Sequence, residues 1–525
     1  MRDFHLPGRS PVLATNGLCA TSHPLAAEAA ISILRNNGNA MDAAIAGAVL
    51  LGICEPASTG IGGDCFALWC RADSHQVCAL NGSGRAPAAV SAEHIRTDTI
   101  TSIPLDSPHS VTIPGAIDAF CYLAETEGKL GIDKLLAPAI HYADEGVPVA
   151  PRIAFDWAQN APILNDAARS AYLIDGDNPK TGDIFRIPAQ AEVLRRIAKS
   201  GRDAFYKGEV ADDMVSTLQR LGGYHTHQDF ASTQCEMTRP ISGTYGEFEI
   251  VEHPPNGQGL IALLMLNILK HFPIADMEPW GAERTHIEAE AAKHAYTLRD
   301  QYLADADHCR DLDRMLDPSL AAKLAGQINP KCASHFLNLQ REHRHKDTVY
   351  ITVVDRDRMA VSLIYSIFHG FGSGIASDKF KILLHNRGAG FSLRPQHPNE
   401  LQPNKRPLHT IIPAMLRHQG RVVMPFGVMG GSYQPNGHCR LISNMVDFGL
   451  DPQSAIDAPR AFAEGDKLKL ERGYSDRVKQ RLIELGHDIE IPITPIGGAQ
   501  AIRIHENGVL EGASDPRKDG GAIGY

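Results

Sequence analysis

The sequence has no apolar run long enough to cross a bilayer. Its longest, Ala43 to Ile53 and Leu260 to Leu269, reach about half of the ~20 residues a helical span needs. It has no CxxC. The ten cysteines stand singly at Cys19, Cys54, Cys65, Cys70, Cys78, Cys121, Cys235, Cys309, Cys332 and Cys439. That excludes a zinc ribbon or redox dithiol and leaves buried free thiols of a reducing compartment. No HExxH accompanies the 24 histidines; the densest groups, His225 with His227 and His343 with His345, fall in polar stretches that read as surface loops, so no metal is expected. No P-loop, GxGxxG or GxSxG occurs, which removes the common nucleotide-binding and α/β-hydrolase architectures, and no cofactor is expected. Positive charge is in deficit, 51 Lys+Arg against 61 Asp+Glu for a net charge of -10, so no groove can neutralise a phosphate backbone and nucleic acid is excluded as a partner. Met1 to Asn16 lacks an apolar signal core. A soluble, cytoplasmic protein without membrane partners is expected.

What is present is a chain of 525 residues with 43% hydrophobic residues, ample for a large buried core. The first half alternates helical and short strand patterns. Ser22 is placed to cap a helix with Pro24 in its first turn, and Gly38 marks its stop. Asn39 starts a second, Ala-rich helix to about Leu51 that reads as buried on every side. The loop Gly60-Ile-Gly-Gly-Asp64 reads as a tight structural turn before two paired strands, Cys65 to Cys70 and Gln76 to Leu80. Arg284 to Ala304 forms a charged helix with Ile287, Ala291, Ala295, Leu298 and Tyr302 spaced for one buried face.

The composition changes near residue 330. Lys331 to Asp347 is polar and charge-rich, as a solvated linker would be. Thr348-Val-Tyr-Ile-Thr-Val-Val-Asp355 and Met359 to Ile367 are then β-branched and aromatic runs, separated by Arg356, Asp357 and Arg358. If Asp357 is the tip of a three-residue loop, cross-strand partners sum to twice 357, and Thr348 faces Ser366. Directly opposed Cβ atoms lie about 4.5–5.5 Å apart, so two hydroxyls meet at the first residue of a strand.

At this hairpin the sequence resembles the gamma-glutamyltranspeptidase family of N-terminal-nucleophile hydrolases, over nearly the whole chain. Ser22-His-Pro-Leu-Ala-Ala-Glu-Ala and Gly38-Asn-Ala-Met-Asp-Ala-Ala match the family's opening signature, and Glu55 to Gly63 its glycine loop. Thr348 to Val361 matches the strand bearing the nucleophile, Phe371-Gly-Ser-Gly-Ile375 the loop after it, and Met429-Gly-Gly-Ser432 the oxyanion glycines. The resemblance implies an α+β fold, a four-layer αββα sandwich of two stacked antiparallel sheets flanked by helices. It also implies a precursor that cuts itself between Asp347 and Thr348. The products would be a large subunit 1–347 and a small subunit 348–525, which stay together as one folded heterodimer, alone or doubled. The implied catalytic residues are Thr348, Ser366, Gly430 and Gly431. A threonine hydroxyl is a weak nucleophile without a base, and an N-terminal residue carries its own: an α-amine titrating near about 7.7–8.0.

The chain departs from the family where the substrate's α-ammonium is held. Phe368, Arg387 and Gly390 fall on those positions, and none offers a side-chain acceptor. The positions that grip the α-carboxylate fall on His409 and Thr410, and the family arginine falls on Ser83, with Arg85 two residues on. Either or both of Arg85 and Arg387 can bind a carboxylate. This pattern is similar to the branch containing oxamate amidohydrolase and implies a small anionic amide as substrate, with oxamate, cleaved to oxalate and ammonia, the leading expectation. The alternatives are a gamma-glutamyl hydrolase or transpeptidase, a cephalosporin-type acylase and, of a different class, a non-catalytic scaffold.

Overall fold

The computed structural model describes residue 5 and residues 8–309, 312–334 and 348–525. Asp347, His343, His345 and most of the charge-rich linker lie outside the described residues.

Two seven-stranded sheets form the centre. In one, the strands run Gly521–Gly524, Leu18–Thr21, Val349–Val354, Ala360–Ser366, Asp64–Cys70, Val77–Gly82 and Glu236–Thr238. In the other they run Val12–Ala14, Leu510–Ser514, Gly498–Ile504, Arg421–Met429, Pro413–His418, Phe248–Glu252 and Ile241–Tyr245. All neighbours within both sheets are antiparallel. Each sheet takes strands from both sides of residues 335–347.

The period of two in the strands sorts the layers. Val349, Ile351, Val353, Val361, Leu363 and Tyr365 point outward into a core shared with helices Pro24–Arg35, Ala40–Cys54, Ala116–Thr126 and Ile132–Glu145. Tyr350 and Ile364 point the other way and pack with Phe66, Ile411 and Met429 between the sheets. Helices Gly259–Leu269, Ala282–Tyr302 and Gln434–Val446 cover the far face of the second sheet. The result is the expected four-layer αββα sandwich. No described helix is long and apolar enough to cross a membrane.

Several local expectations need correction. The first helix is capped by His23, whose Nδ1 accepts from the Leu25 N–H at 3.3 Å, because the Ser22 hydroxyl is drawn 2.5 Å from Glu55 Oε1 instead. Helix Ala282–Tyr302 buries far more than one face. Arg284, His286, Glu288 and Glu290 are buried with Ile287, Ala291 and Ala295, whereas Tyr302 is exposed, because the helix is wedged between the sheet layer and the C-terminal segment around His487. His225 is buried rather than in a surface loop, its Nε2 bonding the Val111 carbonyl at 2.8 Å; His227 is exposed.

Candidate active site

The hairpin register is the one the turn-centred sum requires: Val349 pairs with Tyr365 and Val354 with Ala360. Thr348 and Ser366 therefore extend the ladder at its open end, on the face turned toward the second sheet. The Thr348 hydroxyl donates to Ser366 Oγ at 3.2 Å, and both residues are buried. Ser366 Oγ also accepts from the Phe368 N–H at 2.9 Å and lies 3.5 Å from Arg387 Nη2. Phe368 sits at φ +81°, a left-handed conformation that a phenylalanine adopts only when its surroundings hold it.

Arg387 is fully buried. Its Nη1 donates to Thr410 Oγ1 at 2.8 Å, and its guanidinium carbon lies 3.9 Å from the centre of the Phe368 ring, a cation–π contact in a desolvated place. Thr348, Ser366, Phe368, Arg387 and Thr410 thus form one cluster. Gly390 ends the short helical turn Arg387–Gly390, where its carbonyl accepts from Asn399 Nδ2 at 2.6 Å.

The second sheet supplies the glycines. Strand Arg421–Met429 ends at Gly430, with φ +115°, followed by Gly431 at φ +59°. A side chain on Gly430 would place its Cβ 2.8 Å from Gly497 Cα. Among the described residues, neither glycine N–H donates to an acceptor. Gln258 holds this turn to the cation cluster: its Nε2 donates to the Gly431 carbonyl at 3.0 Å and to the Thr410 carbonyl at 2.7 Å. Its Oε1 is fixed by Arg299 Nη1 at 3.1 Å, which also reaches Ser432 Oγ at 3.2 Å.

The other expected binding residues sit differently. Arg85 is part-exposed and spends its donors on Glu236 at 2.7 Å, Asp305 at 3.2 Å and the Asn404 carbonyl at 3.0 Å. The Ser83 hydroxyl donates to Asn81 Oδ1 at 2.7 Å and accepts from Asn256 Nδ2 at 3.3 Å. His409 is buried, with Nε2 3.1 Å from Asp64 Oδ2 and Nδ1 accepting from the Ile411 N–H at 3.3 Å. Burial, reinforced by the charge of Arg387, pushes His409 down to about 3, so the ring is neutral.

Asp64 and Gln258 were not singled out by the sequence. In the sequence Asp64 is the end of a glycine turn, and an isolated glutamine before an apolar helix carries no signal. Asp64 Oδ1 accepts from the Gly84 N–H at 3.1 Å and the Gly115 N–H at 3.3 Å; Oδ2 faces His409 and, at 3.4 Å, His385 Nδ1. Burial alone would raise this carboxyl, but the two histidines and their hydrogen bonds hold it well below the usual carboxylate range. The glycine loop is needed for close approach: a Cβ on Gly63 would lie 2.5 Å from the Ser366 carbonyl oxygen.

Elsewhere His286, Glu290 and His487 gather in metal-ligand fashion. Their atoms are already engaged, His286 Nδ1 with His487 Nε2 at 2.8 Å, and Glu290 with Lys293 at 2.6 Å and the Ser334 N–H at 3.1 Å. The cluster fits a structural tie better than an ion site.

Comparison with known proteins agrees with the fold and with the ordered motifs. The family model of gamma-glutamyltranspeptidase matches residues 26–525. A glutathione hydrolase-like YwrD proenzyme of Bacillus subtilis is 35% identical over 98% of this chain and 99% of its own length. An oxamate amidohydrolase proenzyme of Klebsiella pneumoniae is 34% identical over the same shares. The crystal structure of cephalosporin acylase from Bacillus halodurans superposes with a TM-score of 0.91 at 36% identity, covering 100% of this chain and 99% of the other. The chain belongs to the gamma-glutamyltranspeptidase family and is a hydrolase or acylase acting on amide bonds.

Proposed function

We propose that the protein is a self-processing amidohydrolase in which Thr348 attacks a small amide that carries a carboxylate and no α-ammonium, with oxamate the leading substrate. The observation that carries this reading is a buried guanidinium, Arg387, 3.5 Å from the hydroxyl that itself lies 3.2 Å from Thr348 Oγ1. A cation this near the attacking oxygen suits an amide whose carboxylate is one bond from the scissile carbonyl, and it repels an ammonium. The oxamate amidohydrolase relative supports the same substrate class.

In maturation, Thr348 Oγ attacks the Asp347 carbonyl, the acyl group passes from nitrogen to oxygen, and water hydrolyses the ester. Subunits 1–347 and 348–525 result, and they remain a heterodimer because each contributes hydrogen-bonded strands to both sheets. The freed α-amine then takes the Thr348 hydroxyl proton as Oγ adds to the substrate carbonyl, and returns it to the departing ammonia. The Gly430 and Gly431 N–H groups receive the oxyanion, each such donor contributing about 3–4 kcal/mol to the transition state. Water hydrolyses the acyl ester to release the diacid. Ser366 orients Thr348, and Thr410 holds Arg387 from behind. Arg85, whose Nη1 and Nη2 bind Glu236, Asp305 and the Asn404 carbonyl, is left to the loop it braces.

Ammonia release from oxamate, measured beside cleavage of gamma-glutamyl anilides and a cephalosporin side-chain amide, tests this. Turnover of oxamate with the anilides inert is expected. Preference for the gamma-glutamyl compounds overturns the substrate assignment and favours the glutathione hydrolase reading.

A further inference from the structure

The segments that carry Ser83, Ser366, Arg387, His409 and Thr410 pass over the same buried carboxylate. Asp64 is the cross-strand partner of Ser366. Its Oδ1 takes the N–H of Gly84, next to Ser83, and of Gly115. Its Oδ2 takes His409 Nε2–H, next to Thr410, and faces His385, two residues before Arg387. Backbone contacts reinforce the arrangement, with the His385 N–H donating to the Gly62 carbonyl at 3.1 Å and the His409 N–H to the Asn256 carbonyl at 2.8 Å. Asp64 and His409 are fully buried.

A carboxylate without solvent persists only when donors converge on it, and here those donors belong to loops far apart in the chain. The dependence is reciprocal: withdrawing the charge releases the loops. The Asp64 oxygen also selects the His409 tautomer. With the proton on Nε2, Nδ1 is free to accept from Ile411; with the proton on Nδ1, that contact would set two N–H groups against each other. Thr410, between His409 and Ile411, is then held where its hydroxyl accepts from Arg387.

We infer that Asp64 is a positioning residue for substrate recognition: through His409 and Thr410 it fixes Arg387 in the geometry that receives the substrate carboxylate. This rests on the amidohydrolase reading, in which Arg387 binds that carboxylate. Asp64 touches neither the substrate nor Thr348 in this scheme.

The test is Asp64→Asn in the full chain, compared with wild type for cutting before Thr348 and for hydrolysis of oxamate and of its neutral counterpart, oxamide. Asparagine keeps an acceptor for Gly84 and Gly115 but presents a donor or a neutral oxygen to His409. The variant is expected to mature, to keep kcat near wild type, and to raise KM for oxamate by about tenfold or more, the scale of one weakened charge-assisted hydrogen bond, with oxamide much less affected. In an Arg387→Met background the same change should add little to KM. An unchanged oxamate KM, a fall in it, or an equal rise for both amides overturns the inference. If Asp64→Asn does not fold, His409→Gln, which retains a donor toward Asp64, is compared with His409→Leu. A lower oxamate KM for Gln than for Leu supports the inference, and equal values overturn it. Failure of the underlying reading is separately visible, as a wild-type protein that is not cut before Thr348 or that does not prefer the anionic amide.

Discussion

Removing the Ser366 hydroxyl should lower turnover in a protein that still folds, and the structure supplies the reason. Ser366 Oγ accepts from the Phe368 N–H at 2.9 Å and from the Thr348 hydroxyl at 3.2 Å. In Ser366→Ala the Phe368 N–H is left buried without this acceptor, at about 1–3 kcal/mol. Phe368 holds φ +81°, a conformation that itself costs about 1–3 kcal/mol, and the lost bond is one of the restraints that keeps it there. Relaxation of Phe368 would carry its ring away from the Arg387 guanidinium, now 3.9 Å from the ring centre. Two effects on turnover follow. Loss of the orienting bond to Thr348, at about 1–2 kcal/mol, lowers kcat roughly 5- to 30-fold, and loosening of Arg387 raises KM for the anionic amide. Maturation should slow with kcat, because both steps use the same oxygen. Ser366→Thr restores the hydroxyl and should recover part of both rates, its extra methyl being crowded in a fully buried site. The assays are the time course of chain cutting by denaturing electrophoresis, ammonia release under saturating and limiting substrate, and a thermal scan. Wild-type maturation and wild-type kcat in Ser366→Ala would refute the orienting role. A loss of activity that only tracks the loss of folded protein would refute it as well.

Further outcomes follow from the same geometry. The purified protein should run as two chains, the smaller beginning Thr348-Val349-Tyr350, and Thr348→Ala should remain one chain of 57.0 kDa; an intact wild-type chain that still turns over substrate contradicts this. Arg387→Met, which keeps the stem length but not the charge, should lower kcat/KM for oxamate by about 2–3 kcal/mol, or roughly 30- to 150-fold, mainly through KM. Gly430→Ala should lose turnover because φ +115° and a Cβ contact at 2.8 Å force the turn to move; steady-state kinetics at unchanged fold, checked by circular dichroism, would show it. Burial draws His225 and His253 down to about 4, against about 6.5 for an unfolded histidine. Between those values the unfolded chain binds protons that the folded chain does not. The stabilisation is therefore complete above about pH 6.5 and is lost as pH falls toward 4, on the order of 3 kcal/mol for each. A thermal midpoint that stays flat from about pH 7 to about pH 4.5 would contradict this.

Parts of this site were legible in the sequence because they depend on local periodicity. The alternation from Thr348 to Ile367 and a three-residue turn at Asp357 were sufficient to bring Thr348 opposite Ser366, since strand register is an arithmetic property once the turn is known. The Ala-rich segment after Asn39 reads as a helix buried on every side, and all of Ala40–Cys54 is buried, with Asn39 and Asp42 forming its capping box. The ordered motif blocks located the family. What the sequence left open was which cation stands beside the hydroxyls. Arg85 and Arg387 have the same chemistry, and only the docking of their loops separates a guanidinium in a peripheral ion-pair network from one packed on Phe368 beside Ser366. Asp64, His385 and His409 were likewise invisible as a unit. Asp64 is more than three hundred residues of chain from either histidine, and no periodicity links them. Their partnership arises because removing a carboxylate from water requires donors from whatever segments the fold brings within about 3 Å, a condition that only the assembled tertiary structure can meet.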